Sequence, residues 1–181
     1  MPPFSDFIER LRKNPELLDK LIPTEPLFWN LSEQFRALDD EALAGGHKII
    51  DPDQFRLVRG GVLYALDELD PAHHIFQEEE SSLGSYWHGM MHRREGDFDN
   101  ARYWFRRAGK LAVFADLHAA AGSASPTMSR QTNWDAYLLT GLCEQARFGG
   151  NELVPECQGL LRVEWEGLMT FSWERAVASK T

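Results

Sequence analysis

The sequence has few of the features of secreted or membrane proteins. Only two cysteines, Cys143 and Cys157, occur in 181 residues, and they form neither a C-x-x-C pair nor another ligand-like spacing. We expect both to be small core residues in a reducing compartment. No apolar run approaches the roughly 20 residues of a membrane-spanning helix, and the N-terminus becomes charged too early for a signal peptide. The sequence therefore predicts a cytoplasmic protein with no membrane partner.

The motifs of common enzyme classes are also missing. The chain has no G-x-S-x-G turn, no glycine-rich phosphate loop and no dinucleotide-binding fingerprint. Paired glycines such as Gly60-Gly61 are expected in turns or at close packing contacts. The sequence thus names no reaction and no cofactor, and whether the protein is an enzyme stays open.

Basic residues are in the minority, with 19 lysines and arginines against 28 acidic residues and a net charge of −9. Such a chain repels polyanions on average, which argues against general nucleic-acid binding. One basic stretch, interleaved with Tyr103, Trp104 and Phe105, keeps an RNA or phosphate ligand as an alternative to a solvated helix face. Its cations are Arg93, Arg94, Arg102, Arg106, Arg107 and Lys110.

What the sequence has in abundance is helical periodicity. Strict alternation of apolar and polar residues is scarce, whereas apolar residues recur at spacings of three and four. Cap and break signals indicate about eight helices, and no linker divides them. We therefore predict an all-α fold, a compact bundle of antiparallel helical hairpins forming a single domain over residues 1–181.

Several local signals predict where helices begin. Asp51 before Pro52 and Asp70 before Pro71 each place a capping carboxylate ahead of a proline at the first helical position. A proline at that position is tolerated because its missing N–H has no partner inside the helix. We expect one helix to start at each of these pairs.

Three other stretches carry expectations about the backbone. Apolar residues at 17–22 predict that the opening helix continues past Pro15. Residues 26–45, with Phe28 on their apolar stripe, predict one further helix. Residues 120–133 are small and polar, which is typical of a mobile loop.

The densest stretch, residues 84–109, predicts a helical hairpin. Residues 86–95 form its first helix and residues 98–108 its second. Between them, Gly96 is suited to a left-handed C′ position and Asp97 to an N-cap. We expect the chain to reverse direction at this pair.

This hairpin resembles the tetratricopeptide repeat, in the glycine-aspartate-aromatic turn and in the small, aromatic, small spacing of its second helix. The residues that carry the resemblance are Gly89, Gly96, Asp97, Phe98, Ala101, Phe105 and Ala108. Small side chains at Gly89 and Ala101 allow the two helices to approach closely. Uneven intervals between similar units favour a compact bundle, tetratricopeptide-like in part, over a regular solenoid.

The same block is similar to a group of bacterial and fungal proteins that share an HRREGD-x-x-NA-x-YWFRR-x-G core. The similarity is concentrated in residues 72–109. It supports the fold and implies no activity.

Polar and aromatic side chains beside the hairpin indicate a binding site. Helical geometry places His88 and His92 within about 60° of each other, and the resemblance to the tetratricopeptide repeat implies that both face the second helix. The leading interpretation is a binding or interaction module whose groove receives a small acidic ligand or peptide. The groove residues are His74, Tyr86, His88, His92, Arg93, Arg94 and Asp97.

A second interpretation is a metal-dependent enzyme. H-x-x-x-H on a helix can chelate zinc or iron, and a histidine of the preceding hairpin, His73 or His74, can complete the ligand set. The expected ligands are His88, His92 and Glu95. Two arginines beside His92, and the absence of the inner glutamate of H-E-x-x-H, count against this interpretation.

Structural roles remain open for the same residues. Buried imidazoles can be satisfied by hydrogen bonds within the hairpin, and the arginines can pair with carboxylates around the turn. The proposed imidazole partners are Tyr86, Asp97, Asn100 and Tyr103, and the proposed carboxylates are Glu95, Asp97 and Asp99. A homodimer joined through exposed tryptophans is a further alternative.

Overall fold

A computed structural model describes residues 4–14, 16–26, 29–122 and 124–178 of the chain. Over these residues the chain forms eleven α-helices, one 3₁₀ turn and no strand beyond an isolated antiparallel bridge between Ile49 and Val177. The helices are α1 (Phe4–Lys13), α2 (Trp29–Arg36), α3 (Asp40–Ala44), α4 (Pro52–Ala65), α5 (Leu69–Gln77), α6 (Ser82–Glu95), α7 (Phe98–Ala108), α8 (Phe114–Ala121), α9 (Pro126–Ser129), α10 (Ala136–Arg147) and α11 (Val154–Ala176).

The predicted all-α bundle is confirmed. Helix α6 packs against α4, α5 and α7, while the long helix α11 packs against α4, α8 and α10. One hydrophobic core joins these helices and includes the fully buried rings of Trp87 and Trp165. Cys143 and Cys157 lie in the same core as free thiols. No described helix has both the length and the apolar character needed to cross a bilayer.

The described part of the chain has more helices than the eight expected, because capping side chains start short helices that periodicity does not resolve. Residues 26–45 were expected as one helix, but α2 ends at Arg36 and Asp39 begins α3 by accepting a 2.7 Å hydrogen bond from the Ala42 amide. Phe28 lies outside the described residues.

The segment after α8 is packed into the core at Ser125 and Met128, whereas residues 129–133 are mostly exposed, and a mobile loop there stays a prediction. Ser125 caps α9 by accepting a 2.8 Å hydrogen bond from the Met128 amide, and both residues are fully buried. The side chain of Glu156 accepts hydrogen bonds from the Ser125 hydroxyl and the Thr127 amide. A short segment can thus be held in place by hydrogen bonds of its polar groups without apolar periodicity.

The continuation of the first helix is also wrong. Residues 16–18 form a turn and residues 19–22 are not helical, although Leu17 and Leu18 are buried. Leu18 has a φ of 61°, a left-handed conformation that no helix contains. Burial of two adjacent leucines is therefore reached by a turn, and Pro15 lies outside the described residues.

Of the two predicted aspartate caps, one is confirmed. The Asp51 carboxylate accepts hydrogen bonds from the amides of Asp53 and Gln54 at the start of α4. Asp70 is not a cap, because α5 begins one residue earlier at Leu69. The residue at the N-cap position, Glu68, makes no side-chain capping bond.

The central hairpin of α6 and α7 has the predicted turn. Gly96 has a φ of 83°, and the Asp97 carboxylate accepts a 3.2 Å hydrogen bond from the Asn100 amide. A Cβ atom added at Gly89 would lie 2.8 Å from the ring of Phe105. The two helices therefore cross where no side chain separates their backbones, which buries α6 deeply.

The six tryptophans do not form an exposed patch. Trp29 alone among them is exposed, with 57% of its surface accessible. Trp87, Trp134 and Trp165 are buried, and Trp104 and Trp173 are half-buried. Among the tryptophans, Trp29 therefore offers the most accessible ring to a homodimer partner.

Candidate functional site

Helix α6 is buried on all sides from Leu83 to Arg94. Because successive residues of a helix differ by 100° in direction, the imidazoles of His88 and His92 share one face while Arg93 and Arg94 point to others. Each polar side chain on this helix must therefore find a partner inside the protein or remain unsatisfied.

Three histidines converge on one side of α6. His73 of α5 joins His88 and His92, and each of the three offers a ring nitrogen within 4.8 Å of the others. The ring centroids lie 4.7 Å apart for His88 and His92, 4.8 Å for His73 and His88, and 5.1 Å for His73 and His92. His88 and His92 are buried and His73 is half-buried. We call these three residues the histidine cluster.

The hydrogen bonds of His92 define its protonation. Its Nδ1 lies 3.1 Å from a carboxylate oxygen of Glu95, and its Nε2 lies 3.1 Å from the side-chain amide nitrogen of Asn100. A carboxylate only accepts, so the Nδ1 that faces Glu95 carries a proton and, in the neutral ring, the lone pair is on Nε2. The Asn100 amide nitrogen is also 3.4 Å from Nδ1, so it does not distinguish the two ring nitrogens. Burial lowers the pKa of His92, although the Glu95 carboxylate acts in the opposite direction.

His88 is the unusual member of the cluster. Its surface is 3% accessible, and neither of its ring nitrogens has a hydrogen-bond partner. Burial, together with the neighbouring imidazoles of His92 and His73, lowers its pKa to about 3. An unsatisfied buried polar group costs about 1–3 kcal/mol, so this ring destabilises the chain unless something binds it.

A second polar network lies on another face of α6. The Arg93 guanidinium forms a buried ion pair with Glu164 of α11. The same carboxylate accepts a 2.7 Å hydrogen bond from the Tyr86 hydroxyl, which in turn accepts one from the Trp134 indole at 2.6 Å. Burial disfavours the charged form of Arg93, but Glu164 outweighs it and raises the pKa of this guanidinium.

Arg94 is enclosed in the same way. Its guanidinium pairs with Asp67, and both side chains are almost completely buried. Arg93 and Arg94 are buried and each is already paired with a carboxylate of the protein, so neither is presented to an open groove. The alternative pairing with Glu95 or residues of the turn is wrong, since both partners come from other helices or loops.

The structure brings only part of the predicted groove together. His88 and His92 meet as expected, whereas His74 is exposed, with its Nδ1 2.7 Å from the Asp70 carbonyl. Asp97 is occupied as the cap of α7. Tyr86 belongs to the Glu164 network instead.

The three clustered histidines differ from the predicted metal ligands in one position, because His73 takes the place of Glu95. His73 completes the group of three nitrogen donors, and Glu95 lies behind His92 as a hydrogen-bond partner. The sequence offered His73 and His74 as equivalent alternatives, since adjacent residues cannot be separated until the rotation of α5 against α6 is known.

Two important partners had no clear signal in the sequence. Glu164 lies in the apolar pattern of α11, where a charged residue at an inward position was the only hint of a buried pair. Asp67 has a φ of 60° in the loop after α4, a conformation that no residue pattern indicated.

Comparison of the chain with protein-family models, curated proteins and solved structures finds no match.

Proposed function

We propose that this protein binds a divalent transition-metal ion through His73, His88 and His92, and that its function depends on this ion. The observation that carries the proposal is the buried imidazole of His88, whose two nitrogens have no hydrogen-bond partner where two further imidazoles converge. A metal ion would satisfy this ring and use the other two as ligands.

The donor set favours a borderline or soft metal. Neutral imidazole nitrogen suits zinc, iron, nickel or copper, whereas magnesium and calcium prefer oxygen ligands. The lowered pKa values of His88 and His92 keep both rings in the neutral, metal-binding form. Ligand deprotonation therefore costs little at neutral pH.

Glu95 supports this arrangement from behind the ligand. By accepting a hydrogen bond from the Nδ1–H of His92, it holds the ring in one tautomer and leaves the Nε2 lone pair for the ion. The Asn100 amide nitrogen lies close to both ring nitrogens and would have to turn away when an ion binds. Glu95 is thus an orienting residue in this proposal.

Small adjustments would complete the site. Tetrahedral coordination with bonds of 2.0–2.1 Å separates ligand nitrogens by about 3.3 Å, and the nitrogens of the cluster lie within 4.8 Å of one another. The rings of His88 and His92 are stacked with an interplanar angle of 18°, so side-chain rotation is needed to turn the lone pairs of the three rings toward one ion.

Three protein ligands leave one tetrahedral position open, which is the pattern of catalytic rather than structural zinc sites. An ion so held would acidify a bound water or polarise a substrate oxygen, which is the chemistry of hydrolysis or hydration. Arg93 and Arg94 do not oppose a cation here, because each guanidinium is paired with a buried carboxylate.

The test is metal binding by protein purified without an affinity tag. After dialysis against Zn²⁺ or Co²⁺, we expect elemental analysis to find one metal ion per protein chain. The visible absorption of the Co²⁺ protein should report a low coordination number. His73→Ala and His88→Phe should abolish stoichiometric binding, and Glu95→Gln should weaken it by about 10- to 100-fold.

The matched control is His74→Ala, which removes an exposed histidine next to His73 and should leave affinity unchanged. Far-UV circular dichroism verifies that each variant is folded. If Zn²⁺, Co²⁺, Ni²⁺ and Cu²⁺ all fail to bind the wild type, or if His88→Phe binds them equally well, the proposal is wrong and the cluster is a packing feature.

A further inference from the structure

A separate cavity lies where the end of α7 meets the starts of α8 and α10. Its volume is about 260 Å³, and Tyr86 of α6 lies in its wall. None of the three clustered histidines contributes to this cavity. Whatever binds here would act independently of the proposed metal centre.

The walls are aromatic and meet at varied angles. Centroid distances are 4.9 Å between Tyr86 and Phe105, 5.4 Å between Tyr86 and Phe114, and 6.5 Å between Phe105 and Tyr137. Trp134 also lines the cavity. Tyr86, Phe105 and Trp134 are buried, so Phe114 and Tyr137 supply most of the ring surface that a planar ligand can contact by stacking or edge contacts.

The interior offers no spare polar group at Tyr86. Its hydroxyl donates to Glu164 and accepts from Trp134, so both of these hydrogen-bonding roles are filled. Burial, reinforced by Glu164, raises the pKa of Tyr86 well above its ordinary value. The deep part of the cavity therefore suits an uncharged ring rather than a polar head.

Charge is concentrated at the rim, where Arg106 and Lys110 are exposed. Neither forms an ion pair with any described residue, unlike Arg102 nearby, which pairs with Asp99 and Glu144. The acidic lining residue, Asp135, is occupied in capping α10, because its carboxylate accepts from the amides of Tyr137 and Leu138. Asp135 keeps its negative charge, and the two cations outnumber it, so the net charge of the lining residues is positive.

We propose that this cavity binds a small aromatic carboxylate, with the ring among the aromatic walls and the carboxylate at Arg106 and Lys110. An aromatic cation would suit a cage of rings alone, but the two unpaired cations at the rim repel it. The proposal therefore commits to an anionic head group.

The experiment compares three probes of nearly the same shape: benzoate, benzamide and benzamidinium. Each is titrated into EDTA-treated protein by isothermal calorimetry and ligand-observed NMR, so the result does not depend on the metal. We expect benzoate to bind at least about tenfold more tightly than benzamide, because its charge-assisted hydrogen bonds are stronger. Benzamidinium should not bind.

Variants locate the site. Arg106→Gln with Lys110→Gln should reduce the affinity for benzoate to that for benzamide and leave benzamide unaffected. Tyr137→Ala, at a side chain that is 43% exposed, should weaken both ligands. The matched control is Arg107→Gln, which removes an adjacent charge that lies 5.5 Å from the Trp104 ring and is not part of the cavity.

Three results would overturn the proposal. These are no binding of benzoate at millimolar concentration, equal binding of benzoate and benzamidinium, and an equal loss of benzoate affinity in Arg107→Gln and the double variant. The last result would mean attraction to the overall positive surface of α7 rather than to this cavity.

Discussion

The imidazole of His88 stacks on the indole of Trp104, with ring centroids 4.0 Å apart and planes inclined by 23°. The two residues come from the two helices of one hairpin, so helix packing itself holds the imidazole in place. The plane of the imidazole is thereby fixed, with Trp104 and His92 both stacked on it. A ligand fixed before its ion arrives loses little conformational entropy on binding.

This stack makes Trp104 a reporter of metal binding. We expect Cu²⁺, added stoichiometrically, to quench part of the tryptophan fluorescence, because the ion would sit beside a ring that touches the indole. Trp104→Phe should remove most of the quenching while leaving Cu²⁺ affinity within about tenfold. Undiminished quenching in Trp104→Phe would place the ion elsewhere.

The free energy of unfolding should depend on pH in part through the protonation of His88. Its pKa is about 3 in the folded chain, against about 6.5 when unfolded. The unfolded state therefore binds more protons between these values, and stability falls as the pH drops through 6.5 toward 3 by at most about 1.4 kcal/mol per pH unit from this residue.

The comparison is metal-free wild type against metal-free His88→Phe, each unfolded by urea across this pH range. The variant should lose less stability on acidification, because phenylalanine has no proton to gain. Parallel curves for the two proteins would mean that His88 is accessible to protons in the folded state.

The buried pair of Arg93 and Glu164 should be sensitive to loss of one partner. Glu164→Gln leaves a buried guanidinium without its counter-charge, and we expect a loss of about 3–5 kcal/mol in the free energy of unfolding. The control is Glu78→Gln, which removes an exposed ion pair with Arg56 at 3.6 Å and should cost no more than about 1 kcal/mol. Similar losses in both variants would contradict the assignment of Glu164 to the core.

Replacing a helical glycine by alanine should have opposite effects on stability at Gly89, where the helices are in close contact, and at Gly141, where they are not. Gly89→Ala would bring a methyl group 2.8 Å from the Phe105 ring, and we expect destabilisation by about 1–3 kcal/mol. Gly141 of α10 has no atom within 4 Å of an added Cβ, so Gly141→Ala should stabilise by up to about 1 kcal/mol. Thermal unfolding distinguishes the two, and stabilisation by Gly89→Ala would refute the close approach.

Local signals in the sequence were sufficient for the central hairpin. Gly96 and Asp97 define its turn, and the small residue Gly89 marks where its helices cross. The same local reasoning failed at residues 17–22, because apolar spacing does not distinguish a helix from a turn that buries two adjacent leucines.

The sequence by itself determined the helical class and the shared face of His88 and His92, since both follow from periodicity, and the resemblance of the hairpin to a tetratricopeptide repeat implied that this face points inward. Only the tertiary structure decided that His73, rather than its neighbour His74, completes the cluster, and that the two arginines are enclosed by Glu164 and Asp67. Which of these side chains meet depends on the orientation of α5, α6 and α11 about their own axes relative to one another. That orientation is fixed by the packing of the whole core, and no short stretch of residues encodes it.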